Sequence, residues 1–328
     1  MRSRSLASSV LVSALVLAGL STQATAGGAD LKLVPADTAG VLHVDLARFR
    51  SSSLYKDVLA GFIQAPQIQA QMAVAKSQLG FDPINDIDSV TIIGGAKLVG
   101  GKEDALFIVA GKLDQGKLTK LASEAGGATQ VEHAGVKYWA TDPKEDMAIA
   151  FIDGKLALGR HALVKGAIEG KGPGATLAAL LKEVNQGGDL FFAGAIPAEA
   201  GAALAAADPS LKDLKSVRGS IDFAKGLSLN IAIAASAASA TAIAGKMQTA
   251  LKPDPAAAPM MQQMGIAPMI EKLKVEAKGD TVVIGLDLTP EEVNRLKMLA
   301  GMLGMAMQAQ QMKGAPPAPP APPAKKAQ

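Results

Sequence analysis

The sequence predicts an α+β fold, in which antiparallel sheets are each covered by helices on one face and a β-α-ββ-α-ββ-α unit occurs twice in tandem. Three observations predict it. Short apolar runs alternate with the period of two that a half-buried strand requires. Pairs of these runs are joined by turns as tight as Asp153-Gly154, Lys225-Gly226 and Gly279-Asp280. A stretch of helical character follows each pair. Tight turns force neighbouring strands to run antiparallel, and a helix after a pair returns over a sheet face.

In the first half, residues 39–49 alternate into a strand and 51–79 read as helix. Gly80, Phe81 and Pro83 supply the glycine stop, hydrophobic contact and proline of a helix end. Strands follow over 89–95 and 105–113, with a helix over 115–125. An additional strand pair covers 129–133 and 136–140, a hairpin covers 147–152 and 156–159, and a helix over 161–169 closes this half. Gly170-Lys171-Gly172-Pro173-Gly174 then breaks the chain, because neither helix nor strand tolerates that density of Gly and Pro.

The second half repeats the order. A strand over 189–196 precedes a helix over 197–214, then strands over 217–224 and 227–234, a helix over 236–251, strands over 272–278 and 281–288, and a final helix over 290–312. Thr289-Pro290-Glu291-Glu292 opens that last helix with a capping hydroxyl, a first-turn proline and two acids at the positive end of the dipole. The expected units are therefore 27–170 and 175–312, with a Gly/Pro linker over 171–174. A Met/Pro-rich insertion at 253–269 and a proline-rich, extended tail at 313–328 complete the plan.

Residues 1–26 have the pattern of a cleavable export signal. Arg2 and Arg4 form the positive start, Val10 to Leu20 the short apolar run, and Ala24-Thr25-Ala26 the small-residue cleavage site. Ser21, Thr22 and Gln23 end that run well short of the roughly 20 apolar residues of a spanning helix. The expected mature chain begins at Gly27, has no transmembrane helix, and is periplasmic or secreted.

Composition narrows the chemistry. The 328 residues contain no cysteine, which removes disulfides, thiolate metal sites and thiol nucleophiles together. Taking Arg2, Arg4, Lys313, Lys325 and Lys326 from the formal charge of +3 leaves −2 for the folded body, and aromatic residues are only 3%. A near-neutral body with so few stacking side chains does not suit nucleic acid.

Candidate binding residues are few. His43 and Asp45, two apart on one strand, share a face expected to meet water, where they could do acid–base work or simply form a polar surface. The three histidines, His43, His133 and His161, lack metal-ligand spacing, so no metal site or cofactor is expected. Asp82, Asn85, Asp86 and Asp88 lack the central glycine and closing glutamate of a calcium loop and read as a polar turn. Met298, Met302 and Met305 fall on one helical face and offer an adaptable apolar surface, a soft site for Cu(I), or ordinary packing. No Gly-x-Ser-x-Gly elbow or phosphate-cradling glycine motif is present. The functional expectation is a non-enzymatic binding module of a Gram-negative-type envelope, with an envelope protein, cell-wall component or apolar ligand as partner. The competing expectation is a hydrolase-like enzyme whose site gathers His43 and distant acids.

Val34-Pro35-Ala36-Asp37-Thr38, the strand from Val41 to Leu46 and Ser53-Leu54-Tyr55 resemble the opening of uncharacterised secreted bacterial proteins that start "P-A-D-T" before a strand. The resemblance covers about 30 residues. It implies an envelope setting and an α+β fold, and names no functional residue.

Overall fold

A computed structural model describes residues 29–56, 63–95, 105–124, 128–141, 146–252, 258–263 and 265–298. The expected export signal over 1–26, Met302, Met305 and the expected tail over 313–328 lie outside the described residues.

Among the described residues, twelve strands form one antiparallel sheet. In chain order they are β1 (Thr38–Asp45), β2 (Ile87–Gly95), β3 (Ala105–Gly111), β4 (Thr129–His133), β5 (Val136–Ala140) and β6 (Met147–Ile152). There follow β7 (Lys155–Arg160), β8 (Leu190–Ala195), β9 (Ser216–Asp222), β10 (Leu227–Ala234), β11 (Lys274–Lys278) and β12 (Thr281–Leu288). The order across the sheet is β11-β12-β10-β9-β8-β1-β2-β3-β7-β6-β5-β4. β1 and β8 are neighbours near its middle, with Val41 opposite Ala193 and His43 opposite Phe191. The two expected sheets are thus one, because the first strand of each half uses its free edge to pair with the other, which removes two edges at once.

The helices are α1 (Leu46–Ser51), α2 (Pro66–Leu79), α3 (Gln115–Glu124), α4 (His161–Glu169), α5 (Ala175–Lys182), α6 (Ala198–Ala207), α7 (Ala237–Ala250), α8 (Ala258–Gln263) and α9 (Ala267–Glu271). Residues 290–298 are also helical. Consecutive strand residues reveal which face each helix covers. Ile108 and Ala157 pack with Leu163, Val164, Leu177 and Leu181 of α4 and α5, whereas Val109 and Leu156 pack with Leu79 and Leu118 of α2 and α3. Neighbours along a strand point oppositely, so helices cover both faces of the first half rather than one. In the second half α7 packs on Ile231, Val275, Val282 and Ile284. The other side of that half carries exposed Asn230, Lys274, Glu276 and Lys278, so the sheet meets water there, as it does at β4, where Gln130 and Glu132 are exposed.

Several ends follow local chemistry. Gly80 is left-handed (φ 82°) and its N–H donates to the Lys76 carbonyl at 3.0 Å. Asp153 (φ 50°) and Gly154 (φ 76°) make the expected hairpin turn. Glu292 accepts the Thr289 N–H at 2.8 Å while Thr289 Oγ1 accepts the Glu292 N–H at 3.3 Å, a reciprocal cap.

Other boundaries differ from expectation. The first strand ends at Asp45 instead of running to Phe49, since the Asp45 side chain caps α1. The helix expected over 51–79 has its described second part beginning at Pro66, a residue suited to a first turn. The helix expected over 197–214 gives way at Asp208-Pro209 to a single 3-10 turn, Pro209–Leu211. The segment 171–174 does not act as a free spacer. The Gly172 N–H donates to the Lys32 carbonyl at 3.2 Å, and a Cβ on Gly174 would run into the Ala36 carbonyl oxygen, so this loop is seated against the N-terminal 3-10 turn Leu31–Leu33.

Candidate functional site

His43 and Asp45 do lie on one strand face, but that face is interior. His43 is 1% exposed and Asp45 5%. The His43 ring lies 5.1 Å from that of Phe191 across the central seam, and its Nδ1 is 2.8 Å from Thr91 Oγ1 on β2. Asp45 is turned to its own backbone: Oδ1 accepts the Arg48 N–H at 2.8 Å, and its N–H donates to the Asp189 carbonyl at 2.8 Å. The expected water-facing surface is buried because α5, which follows the first half, packs over β8 and β1 on that side. Alternation along β1 states which residues share a face and is silent on which face a distant helix covers.

A cluster of charges surrounds the end of this seam. The Arg48 guanidinium bonds Asp222 through Nη2 and lies 3.4 Å from Asp189 Oδ1 through Nε. Asp189, with a side chain only 2% exposed, also accepts the Phe223 N–H. Burial pushes the Asp189 carboxyl up, the Phe223 N–H opposes that, nearby Asp222 adds to it, and Arg48 offsets part of it. Two residues on, the buried Arg50 donates to the Ile87 carbonyl and, at 3.4 Å, to that of Ile84, with Asp88 Oδ1 3.6 Å away. Burial lowers Arg50 and raises Asp88, each partly offset by the other. Chemically, this cluster is a clamp. α1, in the first half, is joined by ion pairs to residues at the ends of β8 and β9, in the second.

Sequence reasoning missed Arg48, Arg50, Asp189 and Asp222. A signal was present in the pair of arginines inside Leu46-Ala47-Arg48-Phe49-Arg50, where a continuous strand would have put both on one face and a helix does not.

The remaining candidates stand apart. His133 Nε2 is 3.1 Å from Glu169 Oε1, and His161 Nε2 is 2.6 Å from the Tyr138 hydroxyl, so the three histidines engage partners in three places. Among the described residues no three His, Asp or Glu side chains are grouped to hold a metal ion. In the 82–88 turn, Asp82 Oδ1 accepts the N–H groups of Ile84 and Asn85 at 3.0 and 3.1 Å, and Asp86 Oδ2 accepts the Asp82 N–H at 2.7 Å. Met298 is 64% exposed, while Met269 of the insertion is buried against Leu288 and Val293. A groove of about 290 Å³ opens between the Leu31–Leu33 turn, Gly172-Pro173 and the later part of α5. No helix among the described residues is long and apolar enough to cross a membrane.

No protein-family model and no curated protein matches the chain. Among solved structures it is similar to that of TP0453 in crystal form I, at a TM-score of 0.41 and 10% identity over 84% of this chain and 98% of that one.

Proposed function

We propose that the chain is exported to the bacterial envelope and works there by binding another molecule through its surface, with two tandem β-α-ββ-α-ββ-α units fused into one sheet. One observation carries the binding reading. The ionisable groups that a hydrolase-like site would need are engaged in holding the molecule together: His43 is packed between Phe191 and Thr91, and Arg48 is paired with Asp189 and Asp222. The duplication is supported by the sheet order. Outward from the seam, β1-β2-β3-β7-β6 is matched by β8-β9-β10-β12-β11, and β5-β4 is the additional pair of the first half. Export is supported by Arg2, Arg4, the apolar run and Ala24-Thr25-Ala26.

Fractionation of cells expressing the full chain, followed by intact-mass measurement, tests the setting: a chain starting at Gly27 is expected in the envelope fraction, and an unprocessed chain in the cytosol would refute export. The binding reading falls if the purified protein shows hydrolytic turnover that disappears in His43→Ala with its melting temperature kept.

A further inference from the structure

Among the described residues the sheet ends at β11 on one side and at β4 on the other, and a strand with one neighbour presents unpaired backbone groups on its open side. The turns decide which residues present them. In β4, Ala134 (φ 47°) and Gly135 (φ 79°) form a two-residue turn that sets His133 against Val136, so that pair is hydrogen-bonded and the pairs alternate from there. Thr129, Val131 and His133 thus bond inward to β5, while Gln130 and Glu132 direct their N–H and C=O groups outward. The same alternation in β11, counted from Lys278 opposite Thr281, leaves Val275 and Ala277 facing out. The two edges differ in what an added strand would meet. β11 alternates exposed Lys274, Glu276 and Lys278, a charged fringe of the kind that guards an edge. β4 has no lysine, proline or bulge. It is also held in place, since Val131 packs against the core that α4 and α5 cover and His133 Nε2 lies 3.1 Å from Glu169 Oε1 on α4.

We propose that β4 pairs antiparallel with β4 of a second copy of this chain, joining two sheets into one across a two-fold axis at Val131. In this register Gln130 of each copy lies opposite the partner's Glu132, and each such pair exchanges both of its hydrogen bonds. Val131 faces the partner's Val131 in a pair without hydrogen bonds, where side chains approach most closely, and does so on the face that already meets its own core. Thr129 faces the partner's His133. No like charges stand opposite one another. The corresponding register on β11, with Val275 opposite the partner's Ala277, sets Glu276 against the partner's Glu276 and Lys274 against the partner's Lys278, which is unfavourable at every charged position. Pairing β4 of one copy with β11 of the next is head-to-tail and runs on without closing, whereas the β4 pair closes on itself. The assignment goes beyond the binding reading above by naming a second copy as partner, and it does not depend on export.

Sedimentation equilibrium of the purified chain, at concentrations up to about 1 mM as the weak end of specific association, tests it. The average mass is expected to rise with concentration and level at that of a dimer. Gln130→Pro removes an outward N–H at a place where an edge strand tolerates proline, and should keep the chain monomeric while its melting temperature at low concentration holds. Ala277→Pro, on the opposite edge, should leave the dimer intact. Charge reads the register without touching the backbone. Gln130→Glu places like charges opposite the partner's Glu132 on both sides of the axis and should weaken the dimer by about two-fold or more, and Gln130→Lys should tighten it by a similar factor. Because the chain has no cysteine, Val131→Cys oxidised with glutathione disulfide should cross-link to its own copy, whereas Thr129→Cys, which meets the partner's His133, should not. The proposal is overturned if the chain stays monomeric throughout, if its mass climbs past the dimer, if Gln130→Pro dimerises as wild type, if Gln130→Glu and Gln130→Lys shift the equilibrium alike, or if Thr129→Cys cross-links in place of Val131→Cys.

Discussion

Arg48 is the residue on which the junction of the two halves turns. Its side chain is 35% exposed, whereas Asp189, which it faces, is almost wholly buried. Arg48→Met keeps most of the volume and removes the cation, leaving Asp189 with the Phe223 N–H as its described hydrogen bond. The expected cost is about 2 kcal/mol at pH 7, below the roughly 3–5 kcal/mol of fully buried pairs. The pH dependence has a definite sign. Burial already raises the Asp189 carboxyl above its unfolded value of about 3.9, and loss of Arg48 raises it further. The folded variant therefore takes up a proton more readily than the unfolded chain, and its stability recovers as pH falls through the folded value toward about 4. Thermal melts of wild type and Arg48→Met between pH 7 and 4 should show a gap that narrows on acidification; a gap that widens would contradict this account. The arginine pair carried a local signal, but its partners were not legible, since Arg48 and Asp222 are distant in sequence and a lone Asp before a strand is ordinary.

Elements were legible where a local signal closes them. Gly80, Asp153-Gly154 and the Thr289/Glu292 cap each carry their own stereochemistry, and all three are where the residues place them. Elements were misread where a side chain had two local uses. Asp45 fits an alternating strand and also fits a helix cap, and the cap ends β1 four residues early. The Gly170–Gly174 run was legible as a break, but its seating against Leu31–Leu33 depends on backbone approach between segments far apart. Gly174→Ala therefore reports on that seating, not on a spacer. With the Ala36 carbonyl in the way, it should cost about 1–3 kcal/mol, as overpacking does, and shift the denaturant midpoint accordingly. An unchanged midpoint would mean that the loop gives way without cost.

At the scale of the molecule, the shared sheet joins the first and second parts of the chain into one body. β1 and β8 pair from Gly40/Gly194 to Val44/Leu190, and Arg48 spans the same seam. A break there would expose two long apolar strand edges, which isolated halves would have to hide. Unfolding of the full chain is therefore expected as a single transition, with calorimetric and van't Hoff enthalpies equal, and fragments 27–170 and 175–328 are not expected to fold separately. Two resolved transitions, or a folded monomeric fragment, would show that the halves are independent.

The sequence by itself determined the α+β class, the antiparallel hairpins and the helix stops, because each depends on residues within a turn or two of one another. Only the tertiary structure decided that both halves enter one sheet, that α5 buries the His43 face, and that Arg48 finds Asp189 and Asp222. Those outcomes depend on which apolar edge and which unpaired charge meet once the chain has collapsed. Period-two alternation specifies two faces and leaves their covering to contacts that join opposite ends of the chain.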